Sequence, residues 1–253
     1  MKATFEQYAK NLQLEQLFSK LGAPDPEKLA RTAEHFSKKE AGKRDEIVLN
    51  YFGQAGVNRI VNAITDQLLD PPKLSAEAKV LDVGAGSGFF TAKIKDKIQA
   101  QLPKVSFYAM DLTPAMLVSL TSKHKGITAF IGIAENLQDS IKEAKKHFSV
   151  SSKFEAVYST LMLHHSLEPE KVFKSIKTVL RKGGKAIIVD LCEHHFEEFK
   201  TELGDEHLGF KPRNVHEMAG KHFPTVKVEK LEGIYCRSSG RSAEIFVASM
   251  LNC

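Results

Sequence analysis

The run VLDVGAGSGFFTAKI, from Val80 to Ile94, constrains the fold more than any other part of the chain. Val80, Leu81 and Val83 around Asp82 read as a short buried strand, and Gly84, Gly86 and Gly88 then turn the backbone into a helix. Glycine tolerates positive φ and lets a ligand touch the main chain, while amides opening the following helix have no intrahelical acceptor. The spacing is GxGxG, with an acid two residues ahead of it, and not the GxGxxG of a dinucleotide fingerprint. A carboxylate at the mouth of such a loop repels a pyrophosphate but accepts hydrogen bonds from an ammonium group. Asp82 and its glycines therefore ask for a cationic ligand.

The pattern continues downstream. VSFYAMDLTPAML reads as a strand ending at Asp111, 27 positions after Gly84, followed by a helix opened by Thr113 and Pro114. ITAFIGIAENL supplies a third strand and FEAVYSTLMLHH a fourth, which ends at Ser159 and Thr160. LEPEKVFKSIKTVL predicts a helix, and RKGGKAIIVDL a glycine turn into a fifth strand. Strands that alternate with helices of about 10 to 15 residues pack as a parallel sheet covered on both faces, with ligands beyond the carboxyl ends of the strands. Val83, Asp111, Ala134 and Ser159 all fall at such ends.

These segments resemble the class I S-adenosylmethionine-dependent methyltransferases of small-molecule type, Val80 to Ile94 corresponding to their motif I. The likeness covers Val80 to Leu191 well and the closing stretches VKVEKLEGIYC and SAEIFVASML more loosely. It implies a Rossmann-like, seven-stranded, mostly parallel sheet with helices on both faces, and S-adenosylmethionine as cofactor. On that resemblance Asp82, Gly84, Ala85, Gly86 and Gly88 form the loop around the methionine moiety. Asp111 takes the ribose hydroxyls, Leu112 and Met116 flank the adenine, and Ala134 and Glu135 border it. Ser159 and Thr160 close the site from the fourth strand. Many relatives carry Asp-Ala-Glu where this chain has Ile133-Ala134-Glu135, so the adenine amino group must be met in another way.

Residues 1–70 carry helical patterns, with Phe5, Tyr8, Leu12, Leu17 and Phe18 at mixed spacing, a second segment from Pro24 to Phe36 and a third from Asp45 to Leu69. By resemblance this part is an N-terminal helical lid over a core at 71–253. Residues 193–222, EHHFEEFKTELGDEHLGF and beyond, form by the same resemblance a helical insertion similar to one in the quinone-biosynthesis methyltransferase group, facing the active-site mouth. A methyl acceptor that must lose a proton needs a base, and histidine titrates nearest neutrality. The candidates are His164 and His165 after the fourth strand and His194 and His195 after the fifth. No metal site is expected: neighbouring residues on an α-helix point about 100° apart, a poor chelating geometry.

The formal charge of +5 comes from scattered residues such as Lys38, Lys39, Lys43, Lys145 and Lys146, without a block of like charge, so no nucleic-acid partner is expected. No run is long and apolar enough for a membrane span, and Met1 to Lys20 is amphipathic and acid-bearing, unlike a leader. A cytoplasmic location is expected. Cys192, Cys236 and Cys253 lack CxxC spacing and read as free thiols. The expected activity is methylation of a small, partly apolar metabolite. STLMLHH replaces the Asn-Pro-Pro-Tyr or Asp-Pro-Pro-Tyr that grips a planar amino group, which argues against adenine or glutamine targets. Methylation of protein or RNA, and a non-catalytic cofactor-binding subunit, are the alternatives.

Overall fold

The computed structural model describes residues 5–39 and 41–253; the first four residues of the expected N-terminal lid, and the side chains of Lys38, Lys39 and residues 201–203, lie outside what is described. Among the described residues four helices, α1 (Phe5–Lys10), α2 (Leu14–Lys20), α3 (Pro26–Lys39) and α4 (Arg44–Leu69), precede the first strand. Then come β1 (Lys79–Val83), α5 (Phe89–Gln99), β2 (Ser106–Asp111), α6 (Pro114–Lys123), β3 (Ile127–Ile131), α7 (Leu137–Ala144), β4 (Phe154–Thr160), α8 (Pro169–Val179) and β5 (Leu180–Leu191). The chain closes with α9 (Glu198–Leu203), α10 (Pro212–Gly220), β6 (Thr225–Ser238) and β7 (Arg241–Asn252). Single 3₁₀ turns lie at Ala134–Asn136 and Leu163–His165.

The strands form one sheet in the order β3-β2-β1-β4-β5-β7-β6. β1 to β5 run parallel, and β7 is antiparallel to both β5 and β6. Side chains alternate across each strand, so successive residues feed opposite faces. Leu81, Val83, Val157, Ala186 and Ile188 join one apolar core together with α7, α8 and α10. Val80, Tyr158, Ile187 and Val189 join the other with α4 and α5. By this alternation Asp82 lies on the α4–α5 face, below the loop it precedes.

The N-terminal region divides in two. α4 buries Val57, Ile60, Val61, Ile64 and Leu68, a helical stripe, in the second core. It belongs to the body of the domain. Leu17 and Phe18 of α2, Leu21 just after it and Leu29 of α3 instead make a third cluster with Ala109, Leu117, Leu120, Ile131 and Ile133 near the β3 edge. The 193–222 segment contains α9 and α10 and a close approach at Leu208–Phe210, where Phe210 N–H donates to Leu191 O at 3.0 Å. Gly209 sits at φ +72°, and a Cβ there would stand 2.3 Å from Cys192 O. Among the described residues no helix is long and apolar enough to cross a membrane.

Candidate active site

The glycine loop after β1 is folded by its own amides. Gly84 and Ala85 N–H both donate to Met110 O, at 2.8 and 3.0 Å, locking the loop to the end of β2. Gly86 N–H donates to Asp111 Oδ2 and Thr113 N–H to Asp111 Oδ1, each at 2.8 Å. Gly84 has φ +77°, and a Cβ there would fall 2.3 Å from Met162 Cγ. Gly88, at φ +82°, opens α5 and would bring its Cβ 2.6 Å from Leu120 Cγ. Both positions need glycine for conformation and for closeness together.

Two connected cavities open at this edge of the sheet. The larger, about 620 Å³ with its open mouth, is bounded by Gly84, Gly86, Asp111, Leu112, Met116 and Ala134 from the sheet side. Thr32 and Phe36 of α3 close it from above, and Leu161, Met162 and His165 after β4 form a further wall. The smaller, about 360 Å³, lies beside the loop against Ala85, Ser87, Phe89, Phe90 and Thr160. Arg44, Gly84, Gly86 and Leu161 border both. Leu161, at φ +57°, is a bulky residue held in the left-handed region. Such strain costs of order 1–3 kcal/mol and persists only where its surroundings impose it.

Eight of the twelve residues expected around the cofactor thus border one or both of these two cavities: Gly84, Ala85, Gly86, Asp111, Leu112, Met116, Ala134 and Thr160. Asp82, Gly88, Glu135 and Ser159 do not, each for a local reason. Asp82 is not at the mouth of the loop: it is 2 % exposed and accepts from Thr91 Oγ1 at 2.7 Å, because strand alternation turns it beneath the glycines. Burial pushes its pKa up to about 7, against the lowering effect of the Thr91 hydrogen bond. Gly88 is spent on contact with Leu120. Glu135 accepts from Ser166 Oγ at 2.6 Å, joining the loops after β3 and β4. Ser159 faces the opposite core and is fully buried.

Several polar atoms are left to be satisfied. Thr160 Oγ1, on the wall of the smaller cavity, is buried without a hydrogen-bond partner. Asp111 is 9 % exposed and each of its oxygens accepts one backbone N–H, leaving lone pairs for hydroxyl donors. Burial raises its pKa, while the N–H groups of Thr113 and Gly86 oppose the rise. A ligand bearing ribose hydroxyls fits this acceptor set.

The four histidines separate by position. His165 alone among them borders the larger cavity. Its Nδ1–H donates to Gly204 O at 3.1 Å, and its ring meets Phe36 edge-on at 5.4 Å between centroids. Burial, then the positive charges of His164 and Arg44, hold its pKa well below the usual value. His164 is buried, its Nδ1–H donating to Asp190 Oδ1 at 2.5 Å and its Nε2 3.5 Å from Asp205 Oδ1. Burial lowers its pKa, but the carboxylates of Asp190 and Asp205 outweigh this and raise it. His194 is buried against Phe196 and Phe199 and accepts from Phe196 N–H at 3.3 Å, so its ring serves packing. His195 is exposed and borders neither cavity. The pair His164–His165 also departs from expectation, since both sit in a 3₁₀ turn with centroids 4.0 Å apart and not on an α-helix.

Sequence reading missed Thr32, Phe36, Arg44, Leu161 and Met162. The first three come from helices far upstream with no motif of their own, although the apolar stripe of the Pro24–Phe36 segment was visible. Leu161 and Met162 lay in the STLMLHH segment as unremarked apolar residues. The cysteines are free, Cys192 and Cys236 buried and Cys253 exposed. Burial pushes the thiol of Cys192 up to about 11 and that of Cys236 up to about 12, keeping both protonated near neutrality.

Residues 74–231 match the family described as "Methyltransferase domain". The biotin biosynthesis bifunctional protein BioHC of Cellvibrio japonicus is 29% identical over 173 residues, 67% of this chain and 29% of that protein. The chain spans less than a third of the first curated relatives it matches. In solved structures, the CurJ carbon methyltransferase superposes with a TM-score of 0.64 at 12% identity, covering 85% of this chain and 60% of that one. The Haemonchus contortus phosphoethanolamine N-methyltransferase 2, solved with S-adenosyl-L-methionine, gives 0.54 at 16% identity, covering 76% and 52%. At these identities the structures show a shared fold. The match over most of the sheet, with the glycine loop and Asp111 at the strand ends, means that the chain belongs to the methyltransferase-domain family.

Proposed function

We propose that the protein methylates a small, partly apolar metabolite. The observation that carries this reading is the roof of the larger cavity. Thr32 and Phe36 of α3 cover the space in front of the glycine loop, and Phe36, Leu161 and Met162 give it apolar walls. A partly covered, mostly apolar site with a few convergent polar groups suits a compact acceptor. Nothing in a basic, concave surface is needed to explain it.

S-adenosylmethionine, when bound, supplies an electrophilic methyl carbon on a sulfonium, which a nucleophile displaces in line. The chain's part is to align the partners and exclude water. In this reading Asp111 holds the ribose, Leu112, Met116 and Ala134 flank the adenine, and the loop Gly84–Gly86 carries the methionine moiety. Arg44, bordering both cavities, takes its carboxylate. Burial of the acceptor between Phe36 and Met162 places it against His165, the one candidate histidine at the cavity wall. His164, His194 and His195 have no such access.

The test is to incubate the protein with methyl-labelled S-adenosylmethionine and a cell extract divided into small-molecule and macromolecular fractions, with Asp111→Ala as the blank. Label in the small-molecule fraction, absent with the blank, is the expected result. Label confined to protein or RNA would overturn the acceptor class, and binding of the cofactor without any transfer would favour a non-catalytic subunit.

A further inference from the structure

We propose that His164, His165 and Asp205 form a binding site for a divalent metal ion of zinc type. The three residues come from two segments that the backbone ties together: Glu206 and His207 N–H both donate to His164 O, at 3.1 and 2.9 Å. This fixes Asp205 beneath the two rings. One ligand atom from each of the three lies within 4.8 Å of the others. His164 Nε2 is 3.5 Å from Asp205 Oδ1, and His165 Nδ1 is 4.0 Å from the same atom. Ligands about 2.0–2.1 Å from a tetrahedral zinc stand about 3.3 Å apart, so the Asp205 pairs need only to close by some tenths of an ångström, while the two imidazoles, held within 4.8 Å, must rotate toward one another to complete the set.

A second observation points to an ion independently of the clustering. The Asp205 side chain is 0% exposed, and neither of its oxygens has a hydrogen-bond partner. A carboxylate buried without donors is unfavourable unless a cation meets it. The surroundings also carry the outer partner typical of metal-bound imidazole. His164 Nδ1–H is donated to Asp190, whose other oxygen is held by Leu163 N–H at 2.7 Å. That bond fixes the tautomer and aims the Nε2 lone pair at Asp205. Two imidazoles and a carboxylate suit zinc, and three protein ligands leave one tetrahedral position for water or an acceptor atom.

The site lies in the wall of the active centre. His165 borders the cofactor cavity, and Asp205 borders a neighbouring cleft that shares Thr32 and Phe36 with it. Coordination through His165 Nδ1 trades away its bond to Gly204 O and places the proton on Nε2. His165 then meets the acceptor as a hydrogen-bond donor, and a role as free base is excluded while the metal is bound. Metal binding itself does not depend on which acceptor is methylated, so the two readings fail separately.

The full chain, purified without a histidine tag and stripped with a chelator, is titrated with zinc and with cobalt(II). One equivalent of zinc, and the visible absorption of low-coordinate cobalt(II), are expected. His164→Ala and Asp205→Asn lower zinc affinity at least tenfold. His195→Ala retains it. Thermal melting and S-adenosylmethionine binding show whether each variant is folded. Absence of the cobalt spectrum in folded wild-type protein would overturn the proposal, as would full zinc affinity in the Asp205→Asn or His164→Ala variant. A His164 ring found by NMR as a permanent imidazolium between Asp190 and Asp205, with zinc in excess, would do the same and identify a buried charge triad.

Discussion

Asp82 shows how much a single buried carboxyl can control. In the folded chain burial holds its proton up to about pH 7, whereas its ordinary pKa is 3.8. The folded state therefore binds the extra proton between these values, and the stability this confers is full below about pH 4 and lost as the pH rises to about 7. Three pKa units correspond to at most about 4 kcal/mol. Asp82→Asn keeps an oxygen for Thr91 Oγ1 and has no proton to lose, so its denaturant-unfolding free energy should fall less between pH 4 and pH 7 than that of the wild type. An unchanged pH dependence would show that Asp82 is already ionised in the fold. Gly84 makes the complementary case. A methyl group there collides with Met162 Cβ and Cγ, at 2.5 and 2.3 Å, atoms close to the backbone that cannot swing aside, and φ is +77°. Gly84→Ala should cost roughly 1–3 kcal/mol of stability. By moving Met162 or the loop it should also weaken S-adenosylmethionine binding more than tenfold in calorimetry. Wild-type affinity would mean the loop has slack that the structure does not show.

At the scale of elements, α3 is the helix that we propose to move as a lid over the site. Its Phe36 borders the cavity and meets His165 edge-on, and its Lys28 Nζ reaches Glu206 Oε2 at 2.7 Å. The ion pair is partly exposed and worth no more than about 1 kcal/mol, so the ring contact is the stronger tie. Phe36→Ala should therefore speed dissociation of S-adenosylhomocysteine several-fold, measured by stopped flow, with little change in melting temperature. Unaltered dissociation would remove α3 from the role of lid. The same helix marks where sequence reading stops. The strand-turn-helix from Val80 to Ile94 and the strand ends at Asp111 and Thr160 are local patterns, set by alternation and glycine spacing, and they were legible. Phe36 and Arg44 reach the site only through tertiary packing, and no neighbouring residue announces them. The pairing of His164 with Asp205 spans forty residues and depends on a 3₁₀ turn in place of the α-helix whose geometry argued against chelation. Asp82 reads from the sequence as a carboxylate at the loop mouth, and its burial beneath the loop was not legible, because alternation in β1 had to be combined with which helices cover which face.

Across the whole molecule the three apolar clusters set an order of stability. The two cores on either side of the sheet contain β1, β4 and β5 together with α4, α5, α7 and α8. They bury strands on both faces, and their opening is close to global unfolding. The third cluster is smaller and joins α2 and α3 to the β2–β3 side through Leu17, Phe18, Leu21 and Leu29. Each such side chain contributes about 1.5–3 kcal/mol on full burial, and several of its partners, such as Ala30 and Ala85, are small and only partly buried. Residues 14–39 should thus open locally, at lower free energy than the sheet. A ligand that bridges the glycine loop and Phe36 binds only the closed form, so it stabilises closure by RT ln(1 + [L]/Kd), about 2.7 kcal/mol at a hundredfold excess over Kd. Hydrogen exchange read by mass spectrometry should then show fast exchange in 14–39 without ligand, slowed roughly 50- to 100-fold by S-adenosylhomocysteine at that excess. Protection in β1 and β4 should change little in comparison. If 14–39 exchanges as slowly as the sheet without ligand, α2 and α3 are a fixed part of the domain, and the acceptor must enter by another route, through the cleft that carries Asp205.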